Sequence, residues 1–360
     1  MRVVICWSHI SGYMASCWRA LAEQRDIELS ILAFQSSSGE TIAFDDSLMH
    51  GLPARLLTTA EQSDATLIRS LVVQHKPDVV VIPGWFHEPY VKLTRDPELA
   101  SAKFVMTMDT PRRDTLRQKL GRFVIGPLLR RIDHVVVAGE RAFQLARLLG
   151  VPECKILRGV YGFDEPPFAA VRERRDATSW PKRFLYVGRY VPDKAIDVLA
   201  EGYRRYRAQV SDPWPFTCCG KGPLAQLLKG EGIDDRGFIQ PAALPALLGE
   251  HGVFILASRY EPWGVAIAEA LCTGMPVVCT EACGASVELV RPYFNGLTVA
   301  TDDADALARG LRWMHDHAPL LPVLGAAAPA TASAFSATMW SRRWHAMFQQ
   351  LVCSSNSARS

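Results

Sequence analysis

Three features of the chain predict an α/β protein of two doubly wound domains. Short β-branched runs each lead into a helix-like stretch, a break of proline and charge falls near the middle, and the same alternation restarts beyond it. The 360 residues exceed what one hydrophobic core usually serves. With 49% apolar and 21% charged residues the composition is that of a folded globular chain, which excludes a disordered, collagen-like or polytopic membrane protein.

In chain order, Val3–Cys6 opens a strand and 14–24 a helix; Val79–Ile82, Phe104–Met108 and His134–Ala138 repeat the strand pattern, the last followed by a helix over 140–149. Such alternation builds parallel strands with crossover helices. Residues 164–183 hold three prolines among charged and small residues without apolar periodicity and read as an interdomain linker. The pattern resumes with strands at Phe184–Val187, Pro215–Cys219, Phe254–Ala257 and Val277–Thr280, and helices near 194–208, 223–229, 243–249 and 264–272. Residues 318–334, rich in Ala and Pro, read as a connection. Residues 335–352 read as an amphipathic helix with Met339, Trp340, Trp344, Met347, Phe348 and Leu351 on one side. The expected domains are therefore 1–163 and 184–334, with a final segment 335–360. Open α/β sheets bind ligands at the carboxyl ends of their strands, so two such domains are expected to share a crevice.

Forty Lys and Arg against 37 Asp and Glu leave a net charge of +3, too balanced for a dedicated nucleic-acid binder. The amino-terminal apolar run is too short for a secretory signal, and no long apolar stretch suggests a membrane span, so the expected location is cytoplasmic. Nine cysteines, scattered mostly through apolar runs and without metal-type spacing, read as reduced buried thiols; no metal site is predicted.

The densest chemistry lies in 253–278, where a buried-type strand meets a polar loop and a helix starts near Gly264. Free N–H groups at Trp263, Gly264 and Val265 would point at a phosphate or hydroxyls from the positive end of that helix. Glu261 in the loop and Glu269 in the helix bracket the turn. They can meet opposite ends of one extended ligand, Glu269 on the vicinal hydroxyls of a ribose and Glu261 on those of a sugar, or they are a surface and a capping carboxylate. The apolar neighbours Val265, Ile267, Ala268, Ala270 and Leu271 favour the first, since an ionised carboxylate among them needs a partner. At 184–197, Gly188 turns the chain after a strand, and Arg189 and Lys194 follow as a fork and a point charge, suited to a diphosphate or simply solvated. Gly220 opens a tight strand-to-helix turn, Gly220-Lys221-Gly222-Pro223.

Taken together, Gly188-Arg189 with Lys194, Gly220 to Pro223, the series Ser258, Glu261, Pro262, Gly264, Glu269, Ala270, then Gly274 to Val278, Gly284, Glu288 and Asn295-Gly296 resemble glycosyltransferase family 4 enzymes of GT-B fold. The resemblance covers about 184–315. It implies a retaining, hexosyltransferase-type enzyme of glycan, polysaccharide or glycoconjugate biosynthesis, with the nucleotide-sugar donor in the second domain, a sugar, lipid-linked or small-molecule acceptor mostly in the first, and no metal required. By motif, Glu261 holds the transferred sugar, Glu269 the ribose, Arg189 and Lys194 the diphosphate, and Phe238 and Ile239 flank the base. The last helix is expected to cross back to the first domain. A non-catalytic sugar-nucleotide-binding subunit or a GT-B epimerase is the alternative.

The first domain matches less. Of the family's first-loop glycines only Gly12 is retained, and where relatives often carry a His this chain has Asp109, the nearest polar substitute or else a turn residue or cap before Pro111. Trp85, Phe86 and His87 follow a strand and can stack on an acceptor or cover the core. Residues 112–131 place seven Arg and Lys and one Asp among leucines and other apolar residues, a pattern for an anionic membrane surface, a phosphorylated acceptor or a plain solvated helix. Peripheral contact at the inner face of a membrane is the corresponding expectation.

Overall fold

The computed structural model describes residues 1–35 and 45–357. The chain divides into two units, Met1–Phe163 with Ser336–Ser360, and Asp164–Phe335.

The first unit is built on seven parallel strands: β1 (Arg2–Cys6), β2 (Glu28–Phe34), β3 (Ala54–Leu57), β4 (Val79–Ile82), β5 (Lys103–Met108), β6 (His134–Val137) and β7 (Ile156–Arg158), in the order β3-β2-β1-β4-β5-β6-β7. The central strands are near-continuous apolar runs such as Val79-Val80-Val81-Ile82, all fully buried, as a sheet covered on both faces requires. The second unit repeats the plan with β8 (Phe184–Val187), β9 (Phe216–Cys219), β10 (Ile233–Asp235), β11 (Val253–Leu256), β12 (Val277–Thr280) and β13 (Gly296–Val299), in the order β10-β9-β8-β11-β12-β13. Each sheet reverses its direction of build once, between β1 and β4 and between β8 and β11.

Five strands lie outside those expected: β2, β3, β7, β10 and β13. Four of them are the edges of their sheets. Edge strands are short and half-solvated, so β7 (Ile-Leu-Arg) and β10 (Ile-Asp-Asp) carry no apolar run to reveal them. In β2, Glu28 and Ser30 interrupt the run.

Residues 164–183 are not a linker. A helix at Glu165–Glu173 buries Phe168 and Val171, and Arg175 donates to the carbonyls of Thr273 (2.6 Å), Leu248 (2.8 Å) and His251 (3.0 Å), which makes the segment part of the second unit. Most of its other charged residues, Glu173, Arg174, Asp176, Lys182 and Arg183, are exposed and mask a two-residue apolar contact. The connection at Ala318–Phe335 also departs from expectation: among the described residues it is the one stretch long and apolar enough to cross a membrane by length and composition, 18 residues at mean hydropathy 1.4. Pro322 and Pro329 start separate short helices within it, Leu321–Ala327 and Pro329–Ala332, and Leu321, Leu324, Ala328 and Ala332 are buried. The last helix, Ala337–Ser357, packs within the first unit. Its Trp340 and Trp344 indoles donate to the carbonyls of Val160 (2.8 Å) and Gly159 (2.9 Å). Trp340, Trp344, Met347, Phe348 and Leu351 are buried, whereas Met339 lies at the exposed edge of the stripe.

Candidate functional site

The second-unit loop residues expected to touch the donor follow the carboxyl ends of parallel strands, and so lie along one edge of one sheet, whereas Gly274 to Val278 and Asn295-Gly296 lie at the opposite ends of β12 and β13. Gly188, Arg189 and Lys194 follow β8, Gly220 follows β9, Phe238 and Ile239 follow β10, and Glu261, Trp263, Gly264 and Val265 follow β11. Strands β8 and β11 are the neighbours at which the sheet reverses, the place where the loops diverge and leave a crevice.

Two features hold the loops there. The glycines allow backbone to meet backbone: a Cβ on Gly220 would stand 1.9 Å from the Gly188 carbonyl oxygen, and one on Gly284 2.1 Å from that of Pro262. Hydrogen bonds then stitch the contacts, Gly188 N–H to Cys219 (2.9 Å), Tyr190 N–H to Lys221 (2.8 Å) and Gly284 N–H to Glu261 (3.0 Å). The β8 and β11 loops are also tied to each other. The Arg259 and Tyr260 amides donate to the Asp193 carbonyl (2.9 and 3.0 Å), and the Arg259 guanidinium bridges Pro192, Asp197 and Asp302. Arg259 is a positioning residue with no sequence signature, because its partners Pro192, Asp197 and Asp302 lie more than forty positions away in the chain.

Within this frame Lys194 and Glu261 form an ion pair, Nζ to Oε2 at 2.5 Å, with side chains only 11% and 14% exposed. The two groups predicted for different ends of a ligand are thus a buried pair. Arg189, by contrast, is exposed and has no carboxylate partner among the described residues, while its carbonyl accepts from the Tyr186 hydroxyl at 2.9 Å. Gly264, at φ +101°, opens the helix Val265–Cys272, and the Gly264 and Val265 amides make no backbone hydrogen bond among the described residues. Trp263 is a core residue: it is buried and its ring packs on Phe335 with centroids 4.9 Å apart, so only its backbone remains a candidate contact. Glu269 shares the less buried side of the helix with Val265 and Ala266. The surrounding protein, through desolvation, pushes its carboxyl up to about 7. No ion pair or side-chain hydrogen bond reaches it among the described residues. Phe238 and Ile239 are half-buried in the loop after β10, where the Gly237 amide is held by Asp235 at 3.0 Å.

The first unit holds Gly12 and Asp109. Ser11 caps the helix Gly12–Ala22, accepting from the Met14 amide, and Tyr13 meets Tyr161 edge-on at 5.7 Å. The Tyr161 hydroxyl donates to Asp109 Oδ2 at 2.8 Å. Asp109 is not the cap of the helix Leu116–Leu129; Thr115 is. The aromatics after β4 divide: Trp85 packs on the core, His87 bonds the Gln62 carbonyl (2.7 Å), and Phe86 is 72% exposed.

Residues 181–317 match the model of the family described as glycosyl transferases group 1. Over 268 residues the chain is 28% identical to an exopolysaccharide phosphotransferase of Streptomyces coelicolor, aligning 71% of this chain with 27% of that protein, so that it spans about a quarter of that relative's length. It is 27% identical to the lipopolysaccharide core biosynthesis mannosyltransferase LpsB of Rhizobium meliloti, across 72% of this chain and 76% of that one. Among solved structures, Anabaena HepE in complex with UDP and glucose superposes with TM-score 0.73 at 18% identity, covering 96% of this chain and 99% of HepE. The chain has a GT-B fold. In this GT-B chain the family match lies within the second unit and contains both members of the Lys194–Glu261 pair.

Proposed function

We propose that the protein is a retaining glycosyltransferase that moves a sugar from a nucleoside-diphosphate sugar to an acceptor hydroxyl in polysaccharide or glycoconjugate synthesis. The buried Lys194–Glu261 pair at the sheet reversal, beside the helix start at Gly264, carries the reading. A fixed cation, orphan amides and a carboxylate at one place suit a group that is phosphate on one side and sugar on the other. The likeness to enzymes of exopolysaccharide and lipopolysaccharide synthesis, and to a protein crystallised with UDP and glucose, supports the same class.

In this reading the bond from C1 to the phosphate oxygen breaks, the bond from C1 to the acceptor oxygen forms on the same face, and the acceptor proton passes to the departing phosphate. Lys194 and Arg189 stabilise the charge that grows on the phosphate, aided by the amides at Gly264 and Val265. Charge neutralisation thus rests on side chains and amides, and no metal is invoked. Glu261, with one oxygen on Lys194, offers the other to the sugar hydroxyls. Glu269 accepts from the ribose hydroxyls and Phe238 and Ile239 flank the base. Asp109, oriented by Tyr161, serves the acceptor side. With Glu269 assigned to the ribose, this reading does not use the flanking carboxylate pair of a glycoside hydrolase.

The test is a thermal-shift screen against UDP, GDP and ADP and their sugar conjugates, with magnesium or a chelator, followed by assay of nucleotide release. One nucleotide is expected to stabilise the protein, by about 2.7 kcal/mol at a hundredfold excess over its Kd. Its sugar conjugate should then be turned over with the chelator present. Binding without any release, with or without acceptors, would instead mark a binding subunit.

A further inference from the structure

The helix Leu116–Leu129 is apolar on two opposite sides. Inward, Leu128 and Leu129 are buried, Ile125 packs on the core, and a Cβ on Gly121 would lie 3.0 Å from a Leu149 methyl. Outward, Leu116, Leu120, Phe123 and Val124 recur at helical spacing and are 76%, 61%, 70% and 80% exposed. These are four of the twelve large hydrophobic side chains left exposed among the described residues, gathered within nine positions. Scattered exposed apolar residues need no explanation, but a stripe does.

Its flanks are basic. At 100° per residue the stripe is bordered by Arg117 on one side and by Lys119, Arg122 and Arg130 on the other. All four are exposed, and none forms an ion pair among the described residues. Residues 112–131 carry a formal charge of +6, whereas the whole chain carries +3, so the other 340 residues sum to −3. The positive charge of the protein is concentrated around its exposed apolar stripe.

We propose that this helix docks in the plane of an anionic lipid bilayer, with Leu116, Leu120, Phe123 and Val124 among the acyl chains and Arg117, Lys119 and Arg122 at the headgroups. Charge decides the occupant. A second copy would bring +6 against +6, whereas a negatively charged surface complements both flanks at once. The proposal does not depend on the glycosyltransferase reading, and it places any acceptor the protein uses at a lipid surface.

The experiment is flotation of the full chain with vesicles of phosphatidylcholine alone or mixed equally with phosphatidylglycerol, over a range of salt. Binding to the anionic vesicles, weakening as salt rises, is expected, with little on the neutral ones. Leu120→Asp with Phe123→Asp should weaken it at least about tenfold at unchanged melting temperature, because both side chains are solvated in the free protein. Arg117→Gln with Lys119→Gln should reduce the salt dependence. Equal binding to both vesicles, no binding to either, or binding unaffected by the aspartates would overturn the proposal. So would a dimer that the aspartates dissolve, which assigns the stripe to a second copy.

Discussion

The two units reverse their sheets in the same way, yet the loops at the two reversals are built differently. In the second unit, glycine contacts lock backbone to backbone, Arg259 ties the β8 and β11 loops together, and a buried ion pair sits at their meeting point. In the first, Tyr13, in the helix after β1, and Asp109, after β5, are joined through Tyr161 by a ring contact and one hydroxyl-to-carboxylate bond, and the loop after β4 exposes Phe86. Fixed charge among rigid loops suits a step whose charge development is always the same. Aromatic and hydroxyl contacts suit recognition of a ligand by shape and hydrogen bonding rather than by fixed charge.

The largest effect should come from splitting the ion pair. Lys194→Ala leaves Glu261 as an unpaired, nearly buried carboxylate, and Glu261→Ala leaves the lysine likewise, so each should cost about 3 kcal/mol of stability and abolish donor turnover. The double change Lys194→Met with Glu261→Gln should recover most of the stability and none of the turnover. A double variant that regains activity would reduce the pair to a structural tie. Next, Gly220→Ala drives a Cβ to within 1.9 Å of the Gly188 oxygen and must move the loops after β8 and β9. Donor affinity should fall at least about tenfold, that is 1.4 kcal/mol, while Gly51→Ala in the first unit, open on all sides though at φ +78°, should leave it unchanged.

Glu269 sharpens the comparison through pH. Its carboxyl titrates near 4.5 in the unfolded chain and at about 7 in the folded one. The folded state therefore holds the proton longer, stability falls as pH rises from 4.5 to 7, and the loss is complete above 7, at most about 3 kcal/mol. Glu269→Gln should raise the melting temperature above pH 7 and leave it unchanged below 4. Ribose hydroxyls favour the ionised form, so donor affinity should strengthen as pH rises through 7 in the native protein and stay level in the glutamine variant. A native affinity that does not change with pH would remove Glu269 from the donor site.

How legible each region was follows the same division. The central strands, buried on both faces, announce themselves as apolar runs, and the second-unit site announces itself because Gly188, Gly220 and Gly264 sit where a side chain would collide or the backbone is left-handed. The pairing of Lys194 with Glu261 was not legible, since 67 positions separate them and only the adjacency of β8 and β11 brings them together. The edge strands and the helix Glu165–Glu173 were missed because half-solvated elements expose the same polar residues as loops do. The partner of Asp109 was invisible for a related reason: Tyr161 comes 52 residues later, in the loop after β7, an edge strand too short to be foreseen.

The smallest effects test that last pair. Asp109→Asn keeps the shape and still accepts from Tyr161 but removes the charge, so if the carboxylate faces the reacting centre kcat should fall about tenfold or more while the donor Kd is unchanged. Tyr161→Phe keeps the charge and removes one hydrogen bond, worth about 1 kcal/mol, and should lower kcat by less than the asparagine change. A fall in stability without a fall in kcat in both variants would make the pair a loop tie like Arg259 with Asp197. The chemistry would then rest entirely with the second unit, leaving the first to recognition alone.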